Sequence, residues 1–414
     1  MRSTTIVRVE PEDRRFRLEA GAGTDAVHSS SEYAFAVTRL MTDSKLYGSG
    51  IVLTLGRGNE IVCELIGALG ESLPKLPIED LMADFGAVSR KLSDDASLRW
   101  LGPHKGAVHL ALASITNACF DLWAKARGLP LWKLLLDLTP EAIVNALDLS
   151  YIEEDVTREA AIGMIEQERP SCTAREKALN RGYPGYDTSV GWFQYDDAQL
   201  REKAKRALES GFKALKLKVG SKDLGRDVRR ARLLRELAGA DPRLMVDVNQ
   251  QWTVAEASSF CDAARDLQLY WIEEPTHPDD IEGHVKLARH VAPLRIALGE
   301  HVPNRVLFRN FMARKAMHFV QADCTRLAGV SEFIAVSLLA RKYELPVVPH
   351  VGDMGQIHQH LVFFNHVGLG HEALFLEYIP HLREYFQHPA QVEQGLYRMP
   401  QEPGLSCDLK PSKA

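Results

Sequence analysis

Cysteine is scarce and unpatterned in this sequence. Its six cysteines, among 414 residues, form no C-x-x-C pair and no spacing typical of a metal site. We therefore expect free thiols in a reducing compartment and no disulfide framework. The opening residues, MRSTTIVRVEPEDRRF, lack the apolar core of a secretory signal, and no apolar run approaches the length of a membrane span. We expect a soluble protein of the cytoplasm.

The sequence also has no large excess of positive or of negative charge. Fifty basic residues stand against 55 acidic ones, which gives a net charge of −5. This balance provides no basic surface for nucleic acid and no polybasic patch for a membrane, so neither partner is expected. No G-x-G-x-x-G segment opens a helix after a strand, so a dinucleotide-binding fold has no support.

The hydrophobic pattern changes along the chain, which is long enough for a barrel with an added domain. Short apolar bursts before residue 75 predict an antiparallel meander passing into a helix, and KGAVHLALASITNACFDLWAKA is typical of an amphipathic helix. We assign 1–138 to an α+β capping domain and 139–181 to a helical insertion. Helices and buried strands then alternate over 182–380, which predicts a parallel (β/α)8-type barrel, TIM-like but modified. The tail, 381–414, is expected to pack back on the capping domain and complete it.

Chemically active residues recur where the apolar runs of the barrel segment end. They are Lys216 and Lys218, Asp247, Glu273, Glu300, Asp323 and His350. From Lys218 onward the steps are 29, 26, 27, 23 and 27 residues, about the length of a strand, a loop and a returning helix. In a barrel, all of these residues then meet at the C-terminal ends of the strands, where such folds build their active sites.

The three carboxylates Asp247, Glu273 and Glu300 predict a metal site. Oxygen ligands without cysteine or histidine suit Mg²⁺. Acids at strand ends are common, but three in consecutive units are hard to explain as unrelated surface groups.

Two basic groups face this site. Lys216 and Lys218 are two apart on a strand and point to the same side, and a neighbouring ammonium and a metal ion would lower the pKa of Lys218. Asp323 is placed to hold one ring nitrogen of His350, five strands from Lys218. A base beside a metal ion that binds a carboxylate substrate predicts removal of the proton α to that carboxylate. Return of a proton or departure of a β-hydroxyl would then follow.

The segments KALKLKVG, VDVNQQW, WIEEPTHPDD, GEHVPNRV and PVVPH resemble the enolase superfamily, mandelate racemase subgroup. Across nearly the whole chain, LGRGNEIV, LRWLGPHKGAVHLA, GYPGYDTSVGW, WIEEPTHPDDIEGH and EPGLS are most similar to L-fuconate dehydratases. The resemblance implies a Mg²⁺-dependent dehydratase acting on a small sugar-acid carboxylate. It also implies Lys218 and His350 as the acid/base pair, with Lys216 and Asp323 assisting them. Substrate contacts are implied for Thr24, Asp25, Tyr33, Lys216, Asn249 and Glu377, the first three on a lid from the capping domain.

The chain departs from the family after His350. Where the family has a Gly-rich segment containing Leu–Cys–Glu, this chain has VGDMGQIHQHL, two residues shorter. Asp353, Gln356 and His358 are therefore new polar groups expected near the general base. L-Fuconate, L-galactonate and D-arabinonate all stay open as substrates.

Two other functions stay open from the sequence. An epimerase or racemase would use the same two groups to return the proton instead of expelling hydroxide. A non-catalytic barrel with an interaction role is the second, although the complete set of catalytic residues argues against it. We expect a homo-oligomer.

Overall fold

The capping domain is built on a three-stranded antiparallel sheet. In the computed structural model, which describes residues 4–73, 75–102, 104–351 and 356–411, the strands are β1 (Ile6–Arg17), β2 (Glu32–Thr42) and β3 (Tyr47–Thr54), in that order across the sheet. This is the predicted meander.

The sheet is followed by a group of helices. They are α1 (Asn59–Glu71), α2 (Ile78–Ala83), α3 (Phe85–Ser93), the 3₁₀ helix Ala96–Leu101, α4 (Gly106–Arg127), α5 (Leu131–Asp137) and α6 (Pro140–Asn145). Of these, α1 and α4 pack against the strands of the sheet. Helix α4 crosses β3 at close range, since a Cβ on Gly50 would lie 1.9 Å from the carbonyl oxygen of Ser114. Of the described helices, only α4 is long and apolar enough to cross a membrane, and 89% of its most apolar window is buried inside the protein. It is therefore a core helix.

The barrel is parallel and closed. Its strands are β4 (Tyr183–Gly191), β5 (Ala214–Lys218), β6 (Arg243–Asp247), β7 (Trp271–Glu273), β8 (Arg295–Leu298), β9 (Phe319–Val320) and β10 (Leu376–Tyr378). Neighbours pair in sequence order, Val347 adds a parallel bridge to Val320, and β10 pairs with β4. These eight positions confirm the predicted TIM-like barrel.

The helical layer explains why the barrel is a modified one. Helix α7 (Arg158–Ala178) and the 3₁₀ helix Leu179–Arg181 precede the barrel. Seven helices then connect the strand positions: α8 (Asp197–Glu209), α9 (Leu224–Ala238), α10 (Val254–Ala263), α11 (Ile281–Val291), α12 (Arg305–Ala313), α13 (Val330–Lys342) and α14 (Gln356–Leu369). A 3₁₀ helix, Arg265–Leu267, extends α10. In the described part of the chain, no α-helix follows β10; a 3₁₀ helix, Pro380–Tyr385, and the short strands β11 (Val392–Glu393) and β12 (Leu396–Tyr397) take that place.

The C-terminal tail runs from the barrel back to the capping domain. The backbone N–H of Leu405 donates to Asp121 of α4 at 2.7 Å, and Lys125 pairs with Asp408 at 2.7 Å. Ser49 of β3 donates its hydroxyl to Asp408 at 2.5 Å. The tail thus completes the capping domain, as expected. The residue boundaries proposed for the domains stay a prediction.

A buried charge network joins the two domains. Glu332 on α13 accepts from Arg305 on α12 at 3.0 Å, and His109 on α4 of the capping domain lies 2.9 Å from its other oxygen. Arg305 also donates to Asp148 in the connection between the domains, at 2.6 Å. Burial alone would raise the pKa of Glu332, but His109 and Arg305 hold it well below its usual range. Glu332 therefore stays ionised and anchors both domains.

We expect Glu332→Gln to lower the free energy of unfolding by about 3–5 kcal/mol, because it leaves buried positive charge without its partner. The pKa of Glu332 is lower in the folded than in the unfolded chain, so its stabilisation is complete above the unfolded value of about 4.3 and is lost as the pH falls below it. Urea unfolding at pH 7 and pH 4 should show the difference between wild type and variant shrinking with acidity. The exposed Glu202→Gln is the control, and equal stability of the two variants would contradict the network.

Candidate active site

A cavity of about 460 Å³ lies between the capping domain and the C-terminal ends of the barrel strands. The barrel side is lined by side chains that the sequence singled out, namely Lys218, Asn249, Glu300, His350 and Glu377. The capping side contributes Asp25 and Tyr33. The parallel register explains the gathering, since Lys218 pairs with Asp247 and Asp247 with Glu273 in adjacent strands.

Three carboxylates form an oxygen-rich cluster at the base of this cavity. One oxygen each of Asp247, Glu273 and Glu300 lies within 4.8 Å of the others. Burial and the neighbouring Asp247 carboxylate raise the pKa of Glu273 to about 8, against the opposing ammonium of Lys216. Among the described residues, Oε2 of Glu300 is buried and makes no hydrogen bond of good geometry, although Nε2 of His350 lies 3.2 Å from it. Hard oxygen donors and crowded carboxylates fit a divalent cation such as Mg²⁺.

Both lysines of β5 pair with these carboxylates. Lys218 donates to Asp247 at 2.6 Å and to Asn249 at 3.1 Å. Lys216 lies 2.6 Å from Glu273 and 2.8 Å from Glu377. The lowered pKa predicted for Lys218 assumed a metal ion bound beside it and stays a prediction. Burial and Lys216 do act to lower this pKa, but the Asp247 carboxylate outweighs them and raises it.

His350 and Asp323 form the predicted pair. Nδ1 of His350 lies 2.7 Å from Oδ2 of Asp323, and its Nε2 lies 3.2 Å from Glu300, toward the carboxylate cluster. Although burial opposes it, Glu300 and Asp323 raise the pKa of His350. Asp323 therefore fixes the imidazole with Nε2 directed at the cavity, which is the geometry that a proton-transfer group needs.

The loop of residues 18–31, between β1 and β2, closes the capping side of the cavity. Asp25 accepts from the backbone N–H of His28 at 2.7 Å and pairs with the His28 ring at 2.8 Å. At Gly220, just after β5, φ is 109° and a Cβ would lie 2.7 Å from Cβ of Ala26 in the loop. The loop thus rests directly on the barrel beside Lys218.

A family model described as "Enolase C-terminal domain-like" matches residues 199–413. The "Mitochondrial enolase superfamily member 1" of Homo sapiens is 39% identical over 98% of this chain and 94% of its own. The chain belongs to the enolase superfamily. An "L-galactonate dehydratase" of Hypocrea jecorina from the curated relatives is also 39% identical, over 99% of this chain and 93% of its own.

Solved structures of the enolase superfamily show the same fold. The crystal structure of the human protein matches with a TM-score of 0.95 at 38% identity, and it covers 99% of this chain and 95% of its own. An L-talarate/galactarate dehydratase from Salmonella typhimurium LT2, liganded with Mg and L-lyxarohydroxamate, matches with a TM-score of 0.79 at 23% identity, over 99% and 92% of the two chains. This second likeness supports the fold alone.

Not every residue that the enolase-superfamily resemblance implied reaches the cavity. The hydroxyl of Thr24 donates to the carbonyl of Gly21 at 2.7 Å and accepts from the N–H of Gln194 at 3.2 Å, so Thr24 ties the loop to the barrel instead of facing substrate. Tyr33 does line the cavity, but from β2 and not from the loop. Lys216 is buried beneath the cavity among the carboxylates, outside its lining.

The segment after His350 gives a mixed outcome. His358 lies close to the Asp323–His350 pair, as expected. Gln356 instead lines a separate cavity against the tail. Asp353 lies outside the described residues.

Several polar residues around the cavity were not predicted from the sequence. His301 and Arg326 line it, and Glu274 is buried with an oxygen 2.9 Å from His301. Glu274 has φ of 42°, in the left-handed region that costs free energy for residues other than glycine. Their positions in the sequence could have indicated two of these residues, because Glu274 and His301 directly follow Glu273 and Glu300 of the carboxylate cluster.

Proposed function

We propose that this protein is a Mg²⁺-dependent acid-sugar dehydratase, a hydro-lyase. It removes the proton α to the substrate carboxylate and eliminates the 3-hydroxyl, which yields a 2-keto-3-deoxy sugar acid. One observation carries the proposal: Lys218 and His350 line one cavity, and each contacts a different member of the carboxylate cluster. Proton removal needs a base beside a cation site, and hydroxyl departure needs an acid, which the same group or the opposite one can supply.

Each residue of the site then has a chemical task. Asp247, Glu273 and Glu300 would hold the Mg²⁺. When bound, the ion withdraws charge from the substrate carboxylate and makes the α-proton more acidic. Lys218 and His350 exchange protons with C2 and with the departing 3-hydroxyl.

The remaining polar groups position and enclose the substrate. Asn249 holds Lys218 at 3.1 Å, and Lys216 ties Glu377 to the cluster. The loop over the cavity excludes water, which strengthens the electrostatic interactions inside. Trp192 places its ring 5.8 Å from the ammonium of Lys218 and adds an apolar wall.

We propose an L-fuconate-like substrate, with L-galactonate and D-arabinonate as the nearest alternatives. Support comes from the resemblance of the sequence to L-fuconate dehydratases and from the L-galactonate dehydratase among its relatives. A cytoplasmic location and a homo-oligomeric state belong to the same proposal.

The test is incubation with Mg²⁺ and each of these acids, with semicarbazide to detect the new ketone. We expect one acid to give a 2-keto-3-deoxy product with kcat/KM far above the others. An acid recovered with inverted C2 and no ketone would show an epimerase or racemase instead. Inertness toward every acid, equal to that of Lys218→Ala, would favour a non-catalytic role.

Metal removal is expected to abolish turnover. Chelation by EDTA should stop ketone formation, and added Mg²⁺ should restore it, because the site offers only hard oxygen ligands. Glu300→Gln should weaken Mg²⁺ binding, measured by isothermal titration calorimetry. The exposed Glu202→Gln should leave it unchanged. Undiminished activity in EDTA would contradict a metal-dependent reaction.

A further inference from the structure

The carboxylate of Asp323 lies between two imidazoles. Its Oδ2 is 2.7 Å from Nδ1 of His350, and its Oδ1 is 3.0 Å from Nε2 of His358 on α14. The backbone N–H and the hydroxyl of Thr325 each donate to the same Oδ1 at 2.7 Å. Asp323 and His358 are fully buried, so their contact takes place away from water.

The proton of His358 in this contact can be placed by elimination. An unprotonated Nε2 would set its lone pair against an ionised carboxylate at 3.0 Å, which is repulsive. Asp323 is ionised: two donors of Thr325 face its Oδ1 and the ring of His350 faces its Oδ2. Burial would raise its pKa, but the neighbouring imidazoles hold the pKa well below the usual range. The backbone N–H of Cys324 also points at Nε2, at 3.2 Å. The full negative charge of the carboxylate lies closer, at 3.0 Å, and outweighs this amide dipole, so we place the proton on Nε2, which donates to Asp323. The Sγ of Cys324, 3.3 Å from the same nitrogen, then lies beside this donor.

The two oxygens of Asp323 have different partners, and this gives His358 a role. Oδ2 contacts Nδ1 of His350, while Oδ1 is held by Thr325 and His358 from different elements of the fold. A carboxylate fixed at one oxygen cannot rotate about its Cβ–Cγ bond, so its other oxygen keeps its place. The ring of His358 is itself fixed against Phe333 of α13, with the ring centroids 6.3 Å apart.

We propose that His358 is a positioning residue for proton transfer: it clamps Asp323 so that His350 keeps Nε2 directed into the active site. This deepens the proposed function and rests on it for its kinetic consequence. His358 lies in the segment where the sequence departs from its family.

The test compares two substitutions of His358. His358→Leu removes the donor, and we expect kcat to fall about 10- to 100-fold, as for other residues that orient an active group, with KM changed far less. His358→Gln can place an amide N–H near the position of Nε2, and we expect it to recover most of kcat. A purely structural role would predict no recovery by glutamine and similar losses in kcat and stability.

His360→Leu is the matched control, since His360 is equally buried on the same helix and contacts the backbone of Trp132 instead of Asp323. Thermal unfolding of all three variants separates loss of fold from loss of rate. If His360→Leu and His358→Leu lower kcat equally at equal stability, or if His358→Leu keeps wild-type kcat, the proposal is wrong.

A readout independent of turnover keeps the clamp testable if the proposed reaction fails. In ¹⁵N-histidine-labelled protein, the Nδ1 proton of His350 should give a low-field resonance, identified by its loss in His350→Asn. We expect that resonance to be lost in His358→Leu and kept in His358→Gln and His360→Leu. Its survival in His358→Leu would overturn the clamp whatever the reaction proves to be.

Discussion

Lys218→Ala is expected to lower kcat for ketone formation by about 10²- to 10⁴-fold, the usual contribution of a positioned proton-transfer group. The ammonium of Lys218 lies within the cavity, and its contacts with Asp247 and Asn249 aim it at the same point as the carboxylate cluster. The short alanine side chain leaves no group that can reach the substrate carbon. The loss should appear in kcat more than in KM, because the cation site itself is retained.

Lys222→Ala is the control for this variant. Lys222 follows the same strand, carries the same charge and is exposed, so its removal should leave the rate unchanged. Circular dichroism and thermal unfolding establish that both variants are folded. Wild-type kcat in folded Lys218→Ala would remove Lys218 from the reaction.

His350→Asn is expected to cause a loss of similar size. Asparagine can keep a hydrogen bond to Asp323 near the position of Nδ1, but it lacks the nitrogen that lies 3.2 Å from Glu300. The substitution therefore removes the proton-transfer atom while sparing the buried carboxylate behind it. The exposed His290→Asn is the control.

Deuterium exchange at C2 of the substrate in D₂O divides the roles of the two groups. If exchange survives in His350→Asn but not in Lys218→Ala, then Lys218 takes the proton and His350 assists the departing hydroxyl. The opposite result reverses the assignment. Full turnover by His350→Asn would show that one group performs both steps.

The sequence predicts the barrel and the place of its reactive residues, because the C-terminal ends of parallel strands all lie at the same rim. Once Lys218, Asp247 and Glu273 were each placed at the end of a buried run, the fold had to bring them to one rim. The hydrogen-bonded register makes them direct neighbours. The carboxylate cluster and the Asp323–His350 contact follow from this rule.

The sequence pattern does not predict the direction of individual side chains or the contacts between distant residues. Thr24 was expected to face the substrate, yet its hydroxyl is used to fasten the loop to residue 194. Lys216 points to the same side as Lys218 but sits one layer deeper, where carboxylates enclose it. The contact of Asp323 with His358 joins residues 35 positions apart, and no local pattern encodes it.

The path of the C-terminal tail has a consequence for how substrate enters. The capping domain is connected to the barrel twice, once through the segment that contains α7 and again through the returning tail, which is bound to α4 by Asp121 and Lys125. A domain on a single hinge can swing open, whereas one tethered at two points resists rotation about either. Access to the cavity then rests on residues 18–31, a short loop between two strands. Loops of this size move on nanosecond to microsecond timescales, faster than domains. Under the proposed function, we expect admission and release of substrate to be local events, set by the contacts that hold this loop on the barrel.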